Sequence, residues 1–208
     1  WNLIHADPLV WTTSRPLITQ LTFPTNATGA MVYGTFTGVG EGLDYSVYGS
    51  VGKELRPNPE QDPFNDAYGV HLSYPLLPSL QLGMSFANFE QINELGDRKN
   101  LVGLDVLWSH DRYEISAEAA YRLSNQGSES DESGGFIQAV VPLTHKLYGI
   151  ARYEYFDRSG PTPGVSLWLG GVAYRWNRAA ILKAEFSKGV DNRINAPEGF
   201  LSSIAVLF

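Results

Sequence analysis

Apolar and polar residues alternate with a period of two along most of this chain, and no other feature constrains its fold as tightly. Residues 112–124 show it best. Tyr113, Ile115, Ala117, Ala119, Tyr121 and Leu123 share one face, and Glu114, Ser116, Glu118, Arg122 and Ser124 share the other. A helix with 3.6 residues per turn would mix these sets, whereas an extended strand separates them. The same split recurs at 67–75, 79–90, 99–110 and 179–189. Segments 28–37, 42–52, 134–144, 147–158 and 165–176 follow it less regularly. With 199–208 this gives about eleven strands of roughly ten residues, the length of a tilted strand that crosses a bilayer.

The connections alternate as well. Long polar stretches at 53–66, 90–98, 125–133, 157–164 and 190–198 are interleaved with short turns. Those turns are Gly38–Glu41, Pro75–Pro78, His110–Asp111, Thr144–Lys146 and Asn177–Arg178. Counting back from Phe208 puts every short turn on the side of the C-terminus and every long loop on the other, the asymmetry of a transmembrane barrel. Aromatic residues then gather at both ends of the strands. Tyr45, Tyr74, Trp108, Tyr113, Tyr174, Trp176 and Phe208 fall near the short turns. Tyr68, Phe86, Tyr121, Tyr155, Trp168, Phe186 and Phe200 fall near the long loops. Two aromatic girdles around an aliphatic band suit the two lipid interfaces. A soluble barrel also alternates, but it gives no reason for this loop asymmetry or girdle spacing.

Composition excludes the main rivals. No stretch of the 208 residues approaches the ~18 apolar residues of a membrane-spanning helix. A net charge of −7 with no basic cluster argues against nucleic acid as a partner. With no cysteine there is no disulfide, thiolate metal site or thiol nucleophile. The four histidines form no catalytic set: His110 and His145 fall at short turns, and His71 has only Ser73 beside it on its face. The expectation is therefore a non-enzyme without cofactor or metal. Glu129, Asp131 and Glu132 share an acidic loop, read as solvated in preference to Ca²⁺-binding or lipopolysaccharide-bridging. Asn26-Ala27-Thr28 matches a glycosylation sequon that recurs by chance.

The last residues, GFLSSIAVLF, place Phe200, Ser202, Ile204, Val206 and Phe208 on one face and stop on an aromatic. This ending resembles the closing strand of bacterial outer-membrane β-barrels. The resemblance implies that Phe200, Ile204, Val206 and Phe208 form the signal read by the barrel-assembly machinery. Trp1, Asn2, His5, Pro8, Leu9, Arg15, Pro16, Phe23, Pro24 and Thr25, followed by Gly29–Phe36, resemble an internal segment of the phosphate-selective porin O and P family. That resemblance implies a bacterial outer-membrane location, contact with lipid and lipopolysaccharide, and a homotrimer.

The expected fold is all-β: one antiparallel up-and-down transmembrane barrel domain over 1–208, with barrel strands in 29–208. Residues 1–28 form a plug-like loop or an extra strand. Eleven is odd, and single-chain bacterial barrels are usually even. Either the chain is the later part of a barrel of about 16 or 18 strands, or Pro16–Phe23 adds a strand and completes a barrel of 12. The polar face would then line the pore with Asp44, His71, Asp105, Glu114, Glu118, Arg122, Arg152, Glu154, Lys183 and Glu185. Acids outnumber bases, and no Arg/Lys ladder of the phosphate-selective kind is present. The expected function is passive diffusion of small hydrophilic solutes or ions with a weak cation preference. The alternatives are a barrel that encloses or anchors a partner protein, and a complete 12-stranded channel for one solute class. Glu118, Arg122 and Arg152 could instead brace the wall as an ion-pair network.

Overall fold

A computed structural model of the chain describes residues 10–22, 28–51, 64–128, 131–161, 164–192 and 196–207. Eleven strands follow one another: β1 (Ala30–Phe36), β2 (Leu43–Val51), β3 (Phe64–Leu77), β4 (Leu80–Gln91), β5 (Lys99–His110) and β6 (Tyr113–Ser124), then β7 (Glu132–Pro142), β8 (Leu147–Arg158), β9 (Val165–Asn177), β10 (Ala180–Val190) and β11 (Gly199–Val206). Each pairs antiparallel with the next in a single sheet, in the up-and-down order expected from the alternation. Among the described residues nothing joins β1 to β11, so the sheet is open, with an edge at each end.

The turns on one side are tight. Residues 111–112 connect β5 and β6, with Asp111 at φ 53°, a left-handed conformation that Asp tolerates better than most residues. Residues 78–79 and 178–179 connect their strands as briefly.

One face of the sheet is apolar and exposed. Leu104, Ile137, Trp168, Phe186, Phe200 and Ile204 are 52 to 69% accessible there. A water-soluble protein rarely leaves so large a contiguous apolar patch uncovered, whereas the hydrocarbon of a bilayer covers it without penalty. Aromatics meet across strands on this face: Tyr153 and Trp168 lie 4.5 Å apart, as do Phe36 and Tyr45.

The N-terminal part departs from one expectation. Pro16–Phe23 does not add a strand: Leu17–Leu21 is a short helix, α1, and Phe23 lies outside the described residues. A strand would send the adjacent Leu17 and Ile18 to opposite faces. In α1 both turn to one side and are buried against Phe136, Phe156, Val165, Leu167 and Ala196. The twelve-stranded reading thus loses its extra strand. Residues 10–22 instead lie along the polar face of the sheet, against β7 to β10, and that face is called inner below.

Candidate functional site

All ten polar residues singled out in the sequence fall on the inner face, and the structure divides them into two groups. Arg122, Arg152, Glu154, Lys183 and Glu185 stand on β6, β8 and β10 and hold residues 10–22. Asp44, His71, Asp105, Glu114 and Glu118 stand on β2 to β6 and make no hydrogen bond to that segment among the described residues.

The first group works as a clamp. The Glu185 carboxylate accepts the backbone N–H of Thr13 at 2.8 Å and of Ser14 at 2.7 Å. Glu154 accepts the N–H of Leu17 at 2.6 Å, one of the donors that the start of a helix leaves without an internal partner. Arg152 is buried and spends its guanidinium on Glu154 (2.7 Å), Thr12 Oγ1 (3.0 Å), the Ser14 carbonyl (3.1 Å) and Ser14 Oγ (2.8 Å). Lys183 donates to the Thr12 carbonyl at 3.2 Å, and Arg122 to the Thr22 carbonyl at 3.2 Å. Charges this far out of water are tolerated because nearly every donor and acceptor is matched. Gly134 lets the helix approach: a Cβ there would stand 2.5 Å from the Tyr155 carbonyl and 3.2 Å from Ile18 Cδ1.

The second group stands apart from residues 10–22. Asp44, Ser73, Gly83, Asp105 and Glu118 form one continuous register row across β2 to β6. Three carboxylates thus share a row with small residues between them. Gly83 makes room for the Asp105 carboxylate, which a Cβ would meet at 2.1 Å. His71 Nε2 lies 3.1 Å from Asp105. Glu114, at the short-turn end of β6, adds a fourth carboxylate.

At the long-loop end, ion pairs brace the sheet. Glu132 joins Arg122 at 2.9 Å and Arg158 at 2.6 Å, and Asp131 accepts from the Ser124 N–H and the Tyr121 hydroxyl. These two acids are therefore committed to protein partners; Glu129 lies outside the described residues. Asp66 pairs with Arg98 at 2.5 Å, and this hydrogen bond raises the guanidinium pKa further. His5, Asn26 and Ala27 also lie outside the described residues, as do all the quoted family positions before residue 10 and from Phe23 to Thr25.

The closing strand pairs Phe200 with Phe186, Ile204 with Leu182 and Val206 with Ala180, all on the apolar face. Phe208 lies outside the described residues.

Sequence reasoning missed the segment that the clamp holds, namely Trp11, Thr12, Thr13, Ser14, Leu17 and Ile18. A signal was present in β9. Val165, Leu167 and Leu169 are apolar on the inner face while Trp168 and Val172 are apolar on the outer. A strand wetted on one side should be polar there, so two-sided apolarity shows that something covers it.

No protein-family model matches the chain, and no curated protein sequence does. Solved structures share its fold. The Salmonella typhi OmpF in complex with daunomycin aligns over 84% of this chain and 59% of its own, with a TM-score of 0.65 and 11% identity. An anion-selective porin from Comamonas acidovorans aligns over 85% of this chain and 52% of its own, with a TM-score of 0.61 and 12% identity. The up-and-down sheet shares the fold of bacterial porins. The chain spans somewhat more than half the length of these structures.

Proposed function

We propose that this protein is an outer-membrane porin that lets small hydrophilic solutes and ions diffuse passively, with a weak preference for cations. The observation that carries the reading is the pairing of an exposed apolar outer face with a charged inner face on one up-and-down sheet. The likeness in fold to porins supports it. The cation preference rests on how the charges divide. The bases Arg122, Arg152 and Lys183 are occupied by the clamp, whereas Asp44, Asp105, Glu114 and Glu118 have no Lys or Arg partner among the described residues. Uncompensated carboxylates along a pore raise the local cation concentration. Residues 10–22 narrow the passage by occupying the wall at β7 to β10.

The proposed setting is the bacterial outer membrane, with lipid and lipopolysaccharide around the barrel and like copies as partners. The barrel-assembly machinery would read Phe200, Ile204, Val206 and Phe208. The likeness of the first forty residues to the phosphate-selective porin O and P family is kept for the architecture; the acid row gives no support for phosphate as the solute. In planar bilayers the purified full-length protein is expected to give ohmic conductance. Its reversal potential in a KCl gradient should have the sign of a modestly cation-selective pore. A protein that inserts but stays silent would refute the channel.

A further inference from the structure

Near the short-turn end of the inner face, two arginines stand beside one phenol, with no carboxylate among the described residues to neutralise them. Arg175 is an inner residue of β9. Its guanidinium carbon lies 4.2 Å from the centre of the Trp11 ring and 6.0 Å from that of Tyr148. Arg112, in the turn between β5 and β6, lies 4.9 Å from the centre of the same Tyr148 ring. Trp11 and Tyr148 are themselves packed at 4.5 Å. Arg112 donates only to neutral oxygens: the Tyr148 hydroxyl at 3.2 Å and the carbonyls of Thr144 at 2.5 Å and His145 at 2.9 Å. Arg175 Nε is buried and has no hydrogen-bond partner among the described residues. The other arginines that reach into this wall, Arg122 and Arg152, each have a glutamate. Asp111, the acid next to Arg112 in sequence, turns instead to His110 at 3.7 Å.

Aromatic contact explains how the guanidinium faces are accommodated, because cation–π attraction acts through the face of the ring. It leaves Arg175 Nε without an acceptor among the described residues, and the Arg112 edge with neutral oxygens and no anion. A guanidinium presents its N–H donors in the plane, in a fork that fits a carboxylate bidentately. A buried, unpartnered Nε beside a second uncompensated cation is costly unless a ligand supplies the missing acceptor. A recess of about 280 Å³ opens beside Arg112, lined by it and by Pro142, Leu143, Thr144 and His145.

We propose that Arg175 and Arg112 form a binding site for small carboxylate solutes at the short-turn mouth, with short dicarboxylates bridging the two guanidinium edges. Trp11 and Tyr148 hold the edges in position. The site lies on the inner face, away from lipid, so its ligand is a dissolved anion. It rests on the porin reading for its purpose as a solute site, but the binding itself does not require conduction.

The test is equilibrium binding of labelled succinate to the detergent-solubilised full-length protein, with neutral succinamide as the control. Succinate is expected to bind and succinamide not. Arg175→Gln and Arg112→Gln should each weaken succinate binding at least about fivefold. Arg175→Lys should recover only part of it, because an ammonium lacks the fork. Arg112 sits in a turn, so its variant carries the test if Arg175→Gln does not fold. Affinity unchanged within twofold in the folded variants, or equal binding of succinamide, overturns the site. Bilayer conductance of the same preparations separates the two readings. Binding without conductance refutes the channel and keeps the site; conductance without arginine-dependent binding does the reverse.

Discussion

Arg152 shows how much one residue carries on the inner wall. It joins Glu154 on its own strand to Thr12 and Ser14 of the inner segment, and its contacts to Glu154 and Thr12 are withdrawn from water. Replacing it with Met leaves Glu154 as a buried carboxylate without its cation, a loss of about 3–5 kcal/mol. Urea unfolding from lipid vesicles, followed by tryptophan fluorescence, should show that drop. Arg152→Lys should fall between, since one ammonium cannot serve Glu154, Thr12 and Ser14 together. Gly134 makes the complementary point about space. Gly134→Val should cost about 1–3 kcal/mol by the same measurement, because the new side chain meets the Tyr155 carbonyl and Ile18 at once.

At the scale of elements, the strands were legible in the sequence and the inner segment was not. Strand β6 was readable because its two faces differ from Tyr113 to Ser124 at every step but Ala119–Ala120, and β5 and β8 begin and end where the alternation does. Residues 10–22 carry no such period. Their position is set by partners 100 to 190 residues away in the chain, such as Arg122, Glu154, Glu185 and Ser203, which no local pattern announces. The inner side of β8 and β10 could be recognised as charged, but not that Arg152 and Lys183 would be spent on another part of the same chain. The segment's docking can be checked directly. Thr13 Oγ1 and Ser203 Oγ lie 2.8 Å apart, and the chain has no cysteine of its own. A Thr13→Cys/Ser203→Cys double variant is expected to form a disulfide on mild oxidation and to conduct equally when oxidised and reduced. A large change in conductance on reduction would mean that the segment leaves the wall.

For the whole molecule, the two faces of the sheet make separate demands. The outer face must meet hydrocarbon, so Leu104→Arg, midway along β5, is expected to lower stability by about 2–4 kcal/mol in vesicles. On the proposed porin reading, the inner face sets selectivity. A triple variant, Asp44→Asn, Asp105→Asn and Glu118→Gln, removes the carboxylates of one register row while keeping their size. Its reversal potential in a KCl gradient should move toward zero or change sign, with little loss of conductance; an unmoved potential would place the selectivity elsewhere. The docked segment also bears on how the molecule assembles. Its polar anchors on β8, β10 and β11 are made by the last third of the chain, while the segment itself is made near the beginning. Apart from Arg122 and Phe136 on β6 and β7, it has nothing to bind until those late hairpins have formed. Contacts between such distant residues slow folding, because the intervening chain must be ordered first. Refolding into vesicles should therefore show β-sheet formation ahead of the burial of Trp11, so that the earliest part described is the last to reach its native place.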